Sequence, residues 1–74
     1  MNLKLLNDKI EEINIPVSTI AEKMGVSRRT LYLKLSGKRG FKVTEANNLC
    51  DILRLTYDEK MIIFFEKEVN KSVN

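Results

Sequence analysis

Val17–Gly37 reads VSTIAEKMGVSRRTLYLKLSG, and the placement of its two glycines and of Ser27 decides the fold. Val17, Ile20, Ala21 and Met24 recur at helical spacing and form the apolar stripe of a short helix. Gly25 stops it, because a chain leaving a helix in the left-handed conformation favours glycine. Only Val26 then precedes Ser27, whose hydroxyl suits the N-cap of a following helix that runs to Leu35 or Ser36. Leu31 and Leu35, four apart, place one stripe of that helix on the core. At a step of about 100° per residue, Arg29, Leu33 and Ser36 then point away from the core, with Tyr32 on the flank. Ala21 is small enough to let the two helices cross closely, and Val26 and Leu31 fill the space between them.

Working outward, the same periodicity gives three more helices. Leu3, Leu6, Ile10 and Ile13 mark one over about residues 3–13, broken by Asn14-Ile15-Pro16, and Pro16 suits the opening of the next. Beyond Gly37 and Gly40 a loop runs through Lys42. Thr44 is the expected cap of a fourth helix whose inward stripe is Ala46, Leu49, Cys50 and Leu53. Thr56 and Glu59 have capping-box spacing, so a fifth helix is expected from Tyr57 to about Val69. No stretch alternates with period two, and no repeat or low-complexity linker interrupts the chain. The expected fold is all-α, a single five-helix domain over residues 1–69 with a polar tail at 70–74.

Composition narrows the function. The chain of 74 residues has a net charge of +3, but residues 22–42 hold seven basic residues (Lys23, Arg28, Arg29, Lys34, Lys38, Arg39 and Lys42) against the single acid Glu22. The remainder holds six basic and nine acidic residues, so one third of the chain is basic and the rest acidic. Such asymmetry is the electrostatic footprint of a nucleic-acid face. With no histidine and only Cys50, the chain has no ordinary zinc site and no disulfide framework. That usage fits a reducing cytoplasm. No nucleophile has a histidine base beside it, and Gly37 and Gly40 lack the strand–loop–helix context of a phosphate loop. No enzyme, cofactor, metal or small-molecule substrate is therefore expected. The start, MNLKLLNDKIEE, is interrupted by charge and reads as neither a signal peptide nor a membrane span.

Arg28 and Arg29 stand in the first turn of their helix, where the positive end of the macrodipole disfavours cations by about 0.3–1 kcal/mol each. Their presence there points to an anion supplied from outside, DNA phosphate or the acceptor edge of guanine. At this point IAEKMGVSRRTL, followed by Leu35-Ser36-Gly37-Lys38, resembles the Cro/repressor-type (Xre-like) helix-turn-helix family, in particular its short phage-encoded regulators. The resemblance covers the helix-turn-helix unit at about 17–36 and extends through five helices to about Phe65. It implies a lambda-repressor-like domain, with the third helix in the major groove of a double-stranded operator. Ser27, Arg28, Arg29 and Leu33 match the family's groove-facing positions. Lys38, Arg39 and Lys42 match a loop that commonly touches phosphate. Lys23, Tyr32 and Ser36 complete the candidates for the DNA backbone, with Tyr32 either packing over a sugar-phosphate or merely flanking the second helix. Two positions depart from the family pattern. Leu33 replaces a polar reader, and either meets a thymine methyl or is a single surface leucine with no contact to make. Pro16 and Val17 replace the polar start of the second helix and its phosphate-contacting cap.

Cys50 is expected to be buried, and Phe41 to plug the loop into the core. In the fifth helix, Tyr57, Met61, Phe64 and Phe65 are expected to face inward. Ile62 and Ile63 then turn to other faces, with Val69 beside Ile62. Ile62, Ile63, Phe65 and Val69 are accordingly the candidate interface for a homodimer or a complex with another regulator. Two other functions use the same fold: a protein-interaction module that modulates a partner repressor, and the antitoxin half of a toxin pair.

Overall fold

The spacing of Leu3, Leu6, Ile10 and Ile13 closes into α1 (Leu3–Ile13), the first of five helices in a computed structural model that describes residues 1–65. Asn2 caps α1 through its Oδ1, which accepts from Leu5 N–H at 3.0 Å. The helix ends at Asn14 in the left-handed region. Pro16, with φ fixed at −59°, opens α2 (Val17–Met24). Gly25 closes it at φ 74°, where its N–H reaches Glu22 O at 3.1 Å and Val26 N–H reaches Ala21 O at 3.0 Å. A Cβ at Gly25 would meet no atom within 4 Å, so glycine is needed there for its backbone angle and not for space.

Ser27 caps α3 (Arg28–Leu35) as its sequence position implies, its Oγ accepting from Thr30 N–H at 3.0 Å. The next helix departs from expectation. α4 (Val43–Leu53) begins at Val43 behind Lys42, so Thr44 lies inside the first turn and caps nothing. Lysine has no acceptor, so only the reciprocal half of a capping box forms: Glu45 Oε1 accepts from Lys42 N–H at 2.8 Å. At the start of α5 (Tyr57–Phe65) the full box is present. Thr56 N–H donates to Glu59 Oε1 at 2.9 Å, and Glu59 N–H donates to Thr56 Oγ1 at 3.1 Å. Among the described residues every regular element is a helix, and no helix is long and apolar enough to cross a membrane.

Each helix contributes one completely buried side chain to a common centre: Leu6, Ile20, Leu31, Leu49 and Ile63. α1 packs against α3, α4 and α5, and α2 packs against α3 and α4. The inward stripe of α4 is as expected, with Ala46, Leu49, Cys50 and Leu53 all buried. Burial also pushes the Cys50 thiol above its ordinary pKa. One side chain of α1 both bonds its own helix and ties down the far end of α3. Asn7 Nδ2 donates to Leu3 O at 2.9 Å and to Leu35 O at 3.2 Å. Gly37, at φ 85°, passes so close to α1 that a Cβ would come within 3.0 Å of Leu3 Cδ1. Phe41 folds in from the loop as expected and meets Phe64 edge-on, the ring centroids 5.8 Å apart.

α5 is rotated from its expected phase. Ile63, expected on an outer face, is 0% exposed, whereas Tyr57 and Phe65, expected inward, are 71% and 46% exposed. Two contacts with the start of the chain set this phase. Asn2 N–H donates to Ile63 O at 2.7 Å, and Lys9 Nζ lies 2.6 Å from Glu59 Oε2. The Lys9 pair and the Thr56 N–H hold the Glu59 carboxyl below the usual range. Ile63 therefore belongs to the core and leaves the candidate interface; Ile62 is half-buried and Phe65 exposed. Val69, the expected end of this helix near it and the tail at 70–74 lie outside the described residues.

Candidate nucleic-acid interface

The exposed side of α3 carries an open hollow of about 460 Å³ lined by Arg28, Arg29, Tyr32, Leu33, Ser36 and Lys38. These are six of the residues singled out from the sequence, gathered from one helix face and the loop that follows. No carboxylate lines the hollow, and Arg28, Arg29 and Lys38 form no ion pair among the described residues. Three uncompensated cations around one concavity give a positive local potential. Tyr32 is exposed and Leu33 half-buried, so the hollow also has an apolar component.

Lys38 reaches the hollow because the loop is pinned to the end of α3. Leu33 O accepts from Lys38 N–H at 2.9 Å, from Arg39 N–H at 3.1 Å and from Ser36 Oγ at 3.1 Å. The Ser36 hydroxyl is thereby engaged in closing its own helix. The Ser27 hydroxyl is similarly engaged, since besides accepting from Thr30 N–H it donates to Thr30 Oγ1 at 2.9 Å. Ser27 sets where α3 begins and does not line the hollow. Lys23, Arg39 and Lys42 are exposed but also lie outside the lining. Lys23 stands in the last turn of α2, Arg39 in the loop and Lys42 at the head of α4.

Lys34 is the residue that sequence reasoning misplaced. Counted among the basic residues of the 22–42 segment, it is instead buried, its side chain 8% exposed. Its Nζ donates to Gly40 O and to Glu45 Oε1, both at 3.0 Å, and stands 5.9 Å from the centre of the Phe41 ring. The signal was present in the helical wheel. At about 100° per residue, Lys34 falls about 60° from Leu31 and so lies on the inward stripe. Its charge is neutralised inside the protein, and the outward basic set of this segment is the six exposed cations Lys23, Arg28, Arg29, Lys38, Arg39 and Lys42. Glu45 receives Lys42 N–H as well as Lys34, and these two, in that order, hold its carboxyl below the usual range. The loop is thus fastened at Leu33 O, at Lys34 and at Glu45, and it carries three of the six cations. Comparison with known protein families, with curated proteins and with solved structures finds no match.

Proposed function

We propose that the chain is a sequence-specific DNA-binding transcriptional regulator of the Cro/repressor type, its α2–turn–α3 segment acting as a helix-turn-helix unit in a lambda-repressor-like domain. The observation that carries this reading is the hollow on α3, where three cations with no ion pair among the described residues meet a tyrosine and a leucine, and no described acid lines it. A surface selected for stability alone would set carboxylates near the start of α3, and none stands in its first turn. In this reading α3 enters the major groove, Arg28, Arg29 and Leu33 meet base edges, and Ser27 fixes the helix start. Lys23, Lys38, Arg39 and Lys42 contact phosphate, with Tyr32 and Ser36 beside them.

Selection from a pool of randomised duplexes should enrich one sequence. Arg29→Ala should weaken binding to that duplex by about 1–3 kcal/mol and relax preference at one base pair, as expected for a lost bidentate contact. Unchanged affinity and preference would remove Arg29 from the reading set. Charge at the loop acts differently. Replacing Lys38, Arg39 and Lys42 together by glutamine should flatten the dependence of log affinity on log salt by about 0.9 per lost phosphate contact. The ranking of duplexes should stay the same, and a collapsed ranking at constant slope would show that the loop reads bases.

A second reading, a module that binds a partner regulator, is favoured by one observation: Tyr57 and Phe65 are exposed aromatics on α5, with Ile62 half-buried on the same helix. The same residues would serve a homodimer that sets two recognition helices about 34 Å apart on a palindromic site. Sedimentation of the pure protein separates the two, since a dimer supports the palindromic arrangement and a monomer with no duplex enrichment supports the partner module.

A further inference from the structure

The residues around the hollow divide sharply by chemistry. Arg28, Arg29 and Lys38 bring charge that has no ion-pair partner among the described residues. Ser36 brings a hydroxyl already donated to Leu33 O. Leu33 itself brings a half-buried aliphatic side chain, and its carbonyl is occupied by Ser36 Oγ and by the N–H groups of Lys38 and Arg39. At Leu33, then, the lining offers apolar surface and no hydrogen-bonding group that is free.

We infer that this hollow takes the 5-methyl group of a thymine, with Leu33 as the specificity-determining contact; the inference rests on the DNA reading above. Guanine, adenine and cytosine are read along the major groove through donors and acceptors, and only thymine adds a methyl. Setting Leu33 against one of the first three edges would strip water from a donor or acceptor and return no partner. Setting it against thymine removes apolar surface from water on both sides. Selection for thymine therefore comes from rejection of the other bases as much as from attraction. Charge complementarity supports the same occupant. Lys38 suits a phosphate flanking the base, Arg28 and Arg29 suit acceptor edges of neighbouring bases, and an apolar ligand alone would leave all three unused.

The test uses the full chain and the duplex enriched from the randomised pool, with each thymine replaced singly by deoxyuridine. That exchange deletes one methyl and keeps every hydrogen-bonding group of the base pair. One thymine per bound protein should respond with about a four-fold loss of affinity, the equivalent of about 0.8 kcal/mol for one buried methyl. Leu33→Ala should bind the thymine and deoxyuridine duplexes equally, and Leu33→Met should restore the difference. If no thymine responds, or if the response survives in Leu33→Ala, the inference is overturned while the DNA reading stands. If the pool yields no enriched sequence, both fall together. The deoxyuridine scan needs no variant, so a folding defect in Leu33→Ala leaves that arm decisive. Circular dichroism of each variant identifies such a defect.

Discussion

Replacing Ile63 with aspartate is expected to unfold the protein, whereas the same change at Ile62 should leave it helical. Ile63 is completely buried and packs in the core with Leu6, Ile10 and Leu53, and its carbonyl takes the Asn2 N–H at 2.7 Å. Truncation to alanine at such a site costs about 2–5 kcal/mol, from lost transfer energy plus the cavity left behind. A carboxylate adds the cost of taking a charge into an apolar core. A chain of this size holds roughly 4–11 kcal/mol of stability in total, so the aspartate exceeds or exhausts it. Ile62 is only half-buried, and Ile62→Ala should cost about 1 kcal/mol. Urea melts followed by far-UV circular dichroism measure all four variants. Equal losses at the two positions would show that α5 is not seated on α1 through Ile63.

That asymmetry was not legible in the sequence, and the reason is physical. Helices one to four each have polar residues that fix the phase of the apolar stripe, and Leu6, Ile20, Leu31 and Leu49 fall where the wheel puts them. The turn between the second and third helices was legible too, because Gly25 and Ser27 have local work that needs no tertiary partner. Met61 to Phe65 are five consecutive apolar residues, so the run itself carries no phase. The polar neighbours mislead as well. Glu59 lies about 40° and Lys60 about 60° from Ile63 on the wheel, so the buried face is bordered by charge. Glu59 is tolerated there because Lys9 of α1 reaches it, a contact 50 positions away in the chain. Thr44 failed for a related reason. Cap preference alone chose a threonine over Lys42, but Glu45 reaching back to Lys42 N–H starts the helix two residues sooner. At the candidate site, the outward face of α3 was legible from the wheel. The engagement of the Ser36 hydroxyl was not, since it depends on a bond to Leu33 O that only the folded turn creates.

Lys34 supplies the other large effect. Glu45→Ala is expected to cost about 3 kcal/mol, the low end for breaking a buried ion pair, because it leaves the Lys34 ammonium without its counter-charge. The low end applies because Glu45 is 21% exposed, which lets water replace part of what is lost. Glu45→Gln should cost less, since the amide oxygen still accepts from Lys34 Nζ and Lys42 N–H. Combining it with Lys34→Met should recover most of the stability, because no charge then remains buried without a partner and the methionine takes the place of the lysine stem near Phe41. That double variant also frees the Gly40 carbonyl from its tether, so any loss of duplex affinity at unchanged stability measures how far the loop depends on the clip. The pair has a signature in pH as well. Contacts in the folded state depress the Glu45 carboxyl, so its contribution is fully present above the ordinary glutamate value of about 4.3 and is lost as pH falls through the lower folded value. Urea midpoints should therefore hold steady from pH 7 to 5 and drop towards pH 3. The drop should shrink in Glu45→Gln but not vanish, because Glu59 is depressed in the same direction by Lys9. An acid profile identical in the two proteins would show that the Glu45 carboxylate contributes nothing as an anion, and Lys34 would then be held by the Gly40 carbonyl and the Phe41 ring alone.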